Sequence, residues 1–190
     1  SARSGGVGVA SVVTSEGITG AALVVLNSGG SPVDPTTGTL WGTRHGIDDE
    51  FAILRRPHRS EVAAFRRLAF APPTLNTTLA VVATDARLTK PECTRLAGAG
   101  HDGMARAISP IHTYTDGDVC FALATGVTEV PETTPATFIR PAMVRFAQLT
   151  GTLAAAADTV ARAVVHAVLA ATSAGAMTSY RDQLPSAFRP

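Results

Sequence analysis

Strand-like and helix-like runs alternate along most of this chain, which predicts an α/β layered domain with helices over a sheet. Three observations carry the prediction. Residues 7–14 (VGVASVVT) and 18–26 (ITGAALVVL) are β-rich runs around the turn Ser15-Glu16-Gly17. Residues 79–84 (LAVVAT) are almost wholly apolar, as in a central strand covered on both faces. Residues 153–172 (LAAAADTVARAVVHAVLAAT) are mostly small and apolar, which suits a helix packed tightly on a sheet.

The elements follow in chain order. The two β-rich runs read as a hairpin, the second apolar enough to be buried. Residues 27–38 (NSGGSPVDPTTG) are a loop by their Gly, Pro, Asn and Ser content. Residues 40–56 have mixed character and predict no element. Residues 59–70 place Val62, Ala63, Phe65 and Ala69 around Arg66 and Arg67, an amphipathic helix ended by Pro72 and Pro73. After the strand at 79–84, Thr89-Lys90-Pro91-Glu92 is a helix start, with a Thr cap and then Pro and an acid in the first turn. That helix runs to about Ile108, before Pro110. Asp116-Gly117-Asp118 is a turn ahead of a strand at 119–124, and residues 125–135 read as a Thr- and Pro-rich loop. Residues 137–171 read as helix, with breaks expected near Pro141 and Gly151; the tail from Ser173 is loop or short helix.

Composition narrows the function classes. The chain has 190 residues, 45% hydrophobic and 16% charged, so one domain with a real core is expected and a disordered tail is excluded. A net charge of +1 argues against nucleic acid or an anionic membrane as the main partner. No uninterrupted apolar run reaches the roughly 18 residues of a spanning helix, so no membrane segment is expected. Cys93 and Cys120 are too few and too far apart for a C-x-x-C site, and a cytosolic compartment is the simpler reading. Gly5-Gly6-Val7-Gly8 lacks Gly-Lys-Ser/Thr and follows no strand, so it reads as a tight strand entry and not a phosphate cradle. His45, His58, His101, His112 and His166 include no pair at metal-ligand spacing. No metal or organic cofactor is implied. His112 precedes the Asp-Gly-Asp turn and could support it from behind. The opening Ser-Ala-Arg-Ser-Gly-Gly has no initiator Met and no signal peptide, which reads as a processed product or a fragment.

Two constellations could carry chemistry. Asn76-Thr77-Thr78 stands between a Pro-rich linker and the apolar strand. It is either a strand start with β-branched residues or a self-cleavage point. In the second case the Thr77 hydroxyl attacks the Asn76 carbonyl, an ester forms, and water releases a new N-terminal threonine. Such a residue carries both its nucleophile and its base, the α-amine. Asp116 and Asp118, one residue apart in an extended segment, share a side. They are either an Asx-type turn or a carboxylate pair that tunes a nearby amine or hydroxyl.

The stretch 76–126, with its Asn-Thr-Thr, His-Asp-Gly, Pro-x-His-Thr and Asp-Gly-Asp set, resembles a family of autoprocessing hydrolases. These are the D-aminopeptidase, the β-peptidyl aminopeptidases and the 6-aminohexanoate-oligomer (nylon-oligomer) hydrolase. GGVGVAS (5–11) and ALVVLN (22–27) resemble its upstream part, so the match covers essentially the whole chain. The resemblance implies an αββα sandwich of the N-terminal-nucleophile type, partial here, and cleavage between Asn76 and Thr77 into pieces 1–76 and 77–190. It makes Thr77 the nucleophile and Asn27 the oxyanion-stabilising residue. Asp116 and Asp118 take the paired acidic positions, and Thr with two Asp is closest to the nylon-oligomer branch. It implies a short amide or peptide substrate and homo-oligomers of processed pairs.

Two departures accompany the resemblance. By the resemblance, the family has a substantial region ahead of the Gly-Gly-x-Gly strand, which supplies sheet, pocket and subunit contacts and which is expected to be missing here. The family's usual lysine before Gly-Gly is Ser4 here, with Arg3 one residue earlier. A free α-amine titrates at about 7.7–8.0, and two carboxylates raise that value unless a cation opposes them. Weaker activity at neutral pH than in lysine-bearing relatives is therefore expected, unless Arg3 supplies the charge; a flat pH–rate profile would contradict it. Two other readings stand beside the hydrolase. One is an acyltransferase of the ornithine-acetyltransferase type, although its Thr-Met after the cleavage point is not seen here, where Thr78-Leu79 follow. The other is a truncated, inactive copy.

Overall fold

A computed structural model describes residues 5–67, 76–130 and 141–189. Arg3 and Ser4, the end of the first predicted helix with Pro72 and Pro73, and residues 131–140 lie outside the described residues.

Four strands form one sheet in the order β1 (Val7–Val13), β2 (Thr19–Val25), β3 (Leu79–Ala86), β4 (Val119–Thr128). The predicted hairpin joins β1 and β2 antiparallel, from Val7 opposite Val25 to Val13 opposite Thr19. Its turn contains Gly17 at φ +81°, a conformation that glycine adopts without steric cost. β2 pairs β3 antiparallel, and β3 pairs β4 parallel with an irregularity between Thr84 and Ala86. β4 runs four residues beyond the expected strand, because Thr125, Val127 and Thr128 keep the in–out alternation going through Gly126.

Helices cover one face of this sheet. Between β2 and β3 lie a short 3-10 helix at Trp41–His45, where no element was predicted, and α1 (Arg59–Arg67). α2 (Lys90–Ala107) joins β3 to β4 in the parallel crossover. Its start is built as expected: the Thr89 N–H and hydroxyl both donate to Glu92 Oε2, at 2.7 and 2.9 Å. α3 (Pro141–Ala170) follows β4, and α4 (Tyr180–Gln183) closes the tail, with Ser179 Oγ accepting from the Asp182 N–H at 3.2 Å.

α3 passes through Gly151 without the expected break. A helical glycine costs about 1 kcal/mol, less than the packing that follows it. Val160, Ala161, Ala163, Val164, Val165 and Ala167 are at most 1% exposed. They meet Ala10, Ala22, Val24, Ala80 and Val82 from the sheet and Leu96 and Met104 from α2 in one core. The contact is close because Gly8 has no side chain: a Cβ there would sit 2.0 Å from the Ala163 carbonyl oxygen. By length and composition α3 could also cross a membrane, contrary to the sequence expectation. Its alanines keep the mean hydropathy high despite Asp158 and Arg162, and in this structure its apolar side lies against the sheet and α2.

Candidate active site

The sheet topology brings three distant segments to one edge. Because β2 and β3 are antiparallel, Asn27, just past the end of β2, lies beside the residues entering β3. Because β3 and β4 are parallel, Asp116 and Asp118, entering β4, lie on their other side. Asn76 and Thr77 therefore stand between two flanking segments, and all five predicted site residues share this edge. Thr77 precedes Leu79 by two, so its side chain points to the face that α2 and α3 leave open.

The Asn76–Thr77 peptide is held on both sides. The Thr77 N–H donates to the Asn27 main-chain carbonyl at 2.9 Å, and the Gly117 N–H donates to the Asn76 carbonyl oxygen at 2.8 Å. One step further on, the Val119 N–H donates to Thr78 O at 3.0 Å. Asn76 and Asp116 form a parallel bridge, so the segment is extended and locked in register.

The two carboxylates differ in environment. Asp118 is almost closed to solvent, its side chain 1% exposed. Its Oδ1 accepts the Thr78 N–H at 2.8 Å, and its Oδ2 lies 2.9 Å from His112 Nδ1, which donates to it. Asp118 thus grips the residue after Thr77, not Thr77 itself. Asp116 Oδ2 closes a turn by accepting the Thr113 N–H at 2.8 Å. Its Oδ1 is buried with no hydrogen-bond partner among the described residues, as is Thr78 Oγ1. Asp116 therefore holds a local turn, of a different kind from the Asx turn expected, with its Oδ2 reaching back three residues to the Thr113 N–H. Gly29 makes room for it, since a Cβ there would lie 2.7 Å from Oδ1.

His112 adopts φ +57°, a left-handed conformation rare for a residue with a Cβ. Its ring packs edge-on to that of His101 on α2, centroids 4.9 Å apart. Burial, and then the His112 charge, hold His101 below its ordinary pKa. The supporting role expected of His112 thus has a partner, Asp118. The contacts of His101, Gly29 and the Asn27 carbonyl were not legible: each joins separate segments of the chain, and none has a local sequence signal.

Three comparisons show which known proteins this chain is similar to. Residues 2–181 match the model of peptidase family S58. An uncharacterized aminopeptidase of Mycobacterium tuberculosis is 45% identical over 193 residues, covering 98% of this chain and 54% of that protein. A 6-aminohexanoate-oligomer endohydrolase of Paenarthrobacter ureafaciens is 34% identical over 115 residues, 59% of this chain and 31% of the hydrolase. The chain spans about half the length of the mycobacterial relatives it matches. Among solved structures, a Burkholderia sp. beta-aminopeptidase superposes with a TM-score of 0.56 at 26% identity, over 99% of this chain and 51% of that one. The L-aminopeptidase D-Ala-esterase/amidase of Ochrobactrum anthropi, described as a variant of the Ntn-hydrolase fold, gives 0.54 at 26% identity, over 95% and 44%. The predicted fold class holds: the chain is mixed α/β and shares the fold of these N-terminal-nucleophile hydrolases.

Proposed function

The chain belongs to peptidase family S58, and we propose that it cuts itself between Asn76 and Thr77 and then hydrolyses short linear amides or peptides. The observation that carries this reading is the convergence of Asn27, Asn76, Thr77, Asp116 and Asp118 at one edge of the sheet. Thr77 Oγ1 attacks the substrate carbonyl, and the α-amine freed by processing takes the hydroxyl proton. The amine passes that proton to the leaving nitrogen, an ester forms on Thr77, and water resolves it. The Asn27 side chain donates to the oxyanion. The Asn27 carbonyl, which already holds the Thr77 nitrogen, keeps the new amine in place. Asp116 Oδ1, buried and without a hydrogen-bond partner among the described residues, would accept from that amine. Asp118 fixes the strand start through the Thr78 N–H. Processed pairs would assemble as homo-oligomers.

Intact mass on the purified chain tests the reading. Wild type should give pieces 1–76 and 77–190, and Thr77→Ala one uncut chain. The processed protein should release p-nitroaniline from amino-acid p-nitroanilides. An uncut, inactive wild type would overturn the proposal, and transfer of the acyl group to added ornithine in place of water would reassign the reaction.

A further inference from the structure

We propose that the backbone N–H of Gly117 is the oxyanion donor for self-cleavage, and that position 117 is glycine because the Thr77 hydroxyl occupies the space a side chain would need. This rests on the self-processing reading above and names the group that activates the scissile bond.

The carbonyl that must be attacked is that of Asn76, and its oxygen already accepts the Gly117 N–H at 2.8 Å. An oxyanion donor must sit about 2.7–3.1 Å from where the charged oxygen will stand, and this ground-state hydrogen bond already aims the Gly117 N–H at that oxygen before reaction. When Thr77 Oγ1 adds to the Asn76 carbon, a C–O bond forms and the carbonyl electron pair moves onto that oxygen. The negative charge therefore develops where the N–H points. As the oxyanion collapses, the bond from Asn76 C to Thr77 N breaks, the nitrogen takes the hydroxyl proton, and an ester remains. Water then adds to the ester carbon, giving the Asn76 carboxylic acid and returning a proton to Oγ1. On the leaving side, the Thr77 N–H stays on the Asn27 carbonyl at 2.9 Å. The peptide is thus fixed at its oxygen and its nitrogen by two different segments.

The same residue sets where the nucleophile sits. A Cβ at Gly117 would fall 2.9 Å from Thr77 Oγ1, closer than Cβ atoms normally approach. Oγ1 consequently lies against the peptide whose N–H holds the target oxygen. Any side chain at 117 would push the nucleophile away without removing the N–H, so hydrogen bond and clearance can be tested separately.

Replacing Gly117 by glycolic acid through nonsense suppression exchanges its N–H for an ester oxygen and adds no atom that could clash. Self-cleavage of the newly made chain, followed by intact mass, should slow about 10²–10³-fold, with the thermal midpoint close to that of Thr77→Ala. Gly117→Ala, which keeps the N–H and crowds Oγ1, should slow cutting at least about tenfold. Cutting at the wild-type rate in either substituted chain overturns the assignment while leaving self-processing intact. A wild type that never cuts overturns the processing and this inference together.

Discussion

The two faces of the sheet are alike in composition and opposite in circumstance. On the helix-covered face, Ala10, Ala22, Val24, Ala80 and Val82 are buried beneath α2 and α3. On the other face Val7, Val25, Leu79 and Val119 form one registered row across all four strands. Each is between 37% and 54% exposed, and Phe121 in the next row is 60% exposed. A sheet apolar on both faces is built to be covered on both. In an αββα sandwich the open face is the one that meets a second sheet. The difference assigns tasks: the covered face supplies this chain's own stability, and the open face carries the proposed chemistry at its rim, since Thr77 projects on the same side as Leu79. Perturbations of one face should then leave the other's property untouched.

The largest expected effect falls on the covered side. Glu50, in the turn after the 3-10 helix, binds Arg162 of α3 at 2.6 and 2.8 Å and lies 2.8 Å from His166. Arg162, only 7% exposed, also donates to the Ser11 carbonyl of β1 at 2.8 Å, so this cluster ties α3 to the sheet edge. Glu50→Gln leaves that guanidinium without its counter-charge, which should cost about 3–5 kcal/mol. Burial alone would raise the Glu50 carboxyl, but Arg162 and His166 override it and hold it at about 2 against an ordinary 4.5. The proton thus binds the unfolded chain more readily. The stabilisation is present above pH 4.5, the ordinary value, and is lost as pH falls toward about 2. Urea midpoints followed from neutral pH down through this window should fall steeply in wild type and less in Glu50→Gln. Equal slopes would remove Glu50 from the cluster's energetics.

Next in size is a change at the rim. Asn27→Ala keeps the main-chain carbonyl that holds Thr77 and deletes the proposed side-chain donor. It should lower kcat about 10²–10³-fold, or about 2.7–4 kcal/mol, with the urea midpoint unmoved. Unchanged turnover of a p-nitroanilide would remove the Asn27 side chain from the mechanism. A large loss of stability would break the division between the faces.

This division was only half legible in the sequence. The apolar runs at 7–14, 18–26 and 79–84 and the Thr89 cap announce themselves, because strand alternation and helix capping are local. Gly151 and the Thr125–Gly126 step misled for the same reason. Gly and Thr favour loops locally, yet packing against the sheet carries the helix through one, and continued alternation carries the strand through the other. The convergence of Asn27, Asn76, Thr77, Asp116 and Asp118 came from family resemblance. Spacing alone left Asn76-Thr77 as a possible strand start and the Asp pair as a possible turn. The hold of Gly117 on the Asn76 carbonyl and the packing of His101 on His112 depend on strand register and on the α2 crossover, which no local pattern encodes. The open face was the least legible feature, since alternation marks which residues share a face and not what covers it.

The smallest expected effect is the most direct test of that open face. Leu23 lies on β2 in the row behind the rim, opposite Val9 and Val81, and is 42% exposed. Leu96, on α2, is wholly buried against the other side. Leu96→Ala should cost about 2–5 kcal/mol, as truncation of a core leucine does. Leu23→Ala should cost about 1 kcal/mol in this chain, because a large share of the area it gives up already faces water. Chemical denaturation at several protein concentrations separates the possible results. A small, concentration-independent loss means the face is open in solution. A loss comparable to that of Leu96→Ala means the row is covered, and one that grows with protein concentration means that a second copy of the chain supplies the cover. In that case the rim beside Thr77 would lie at an interface, and catalysis would depend on assembly.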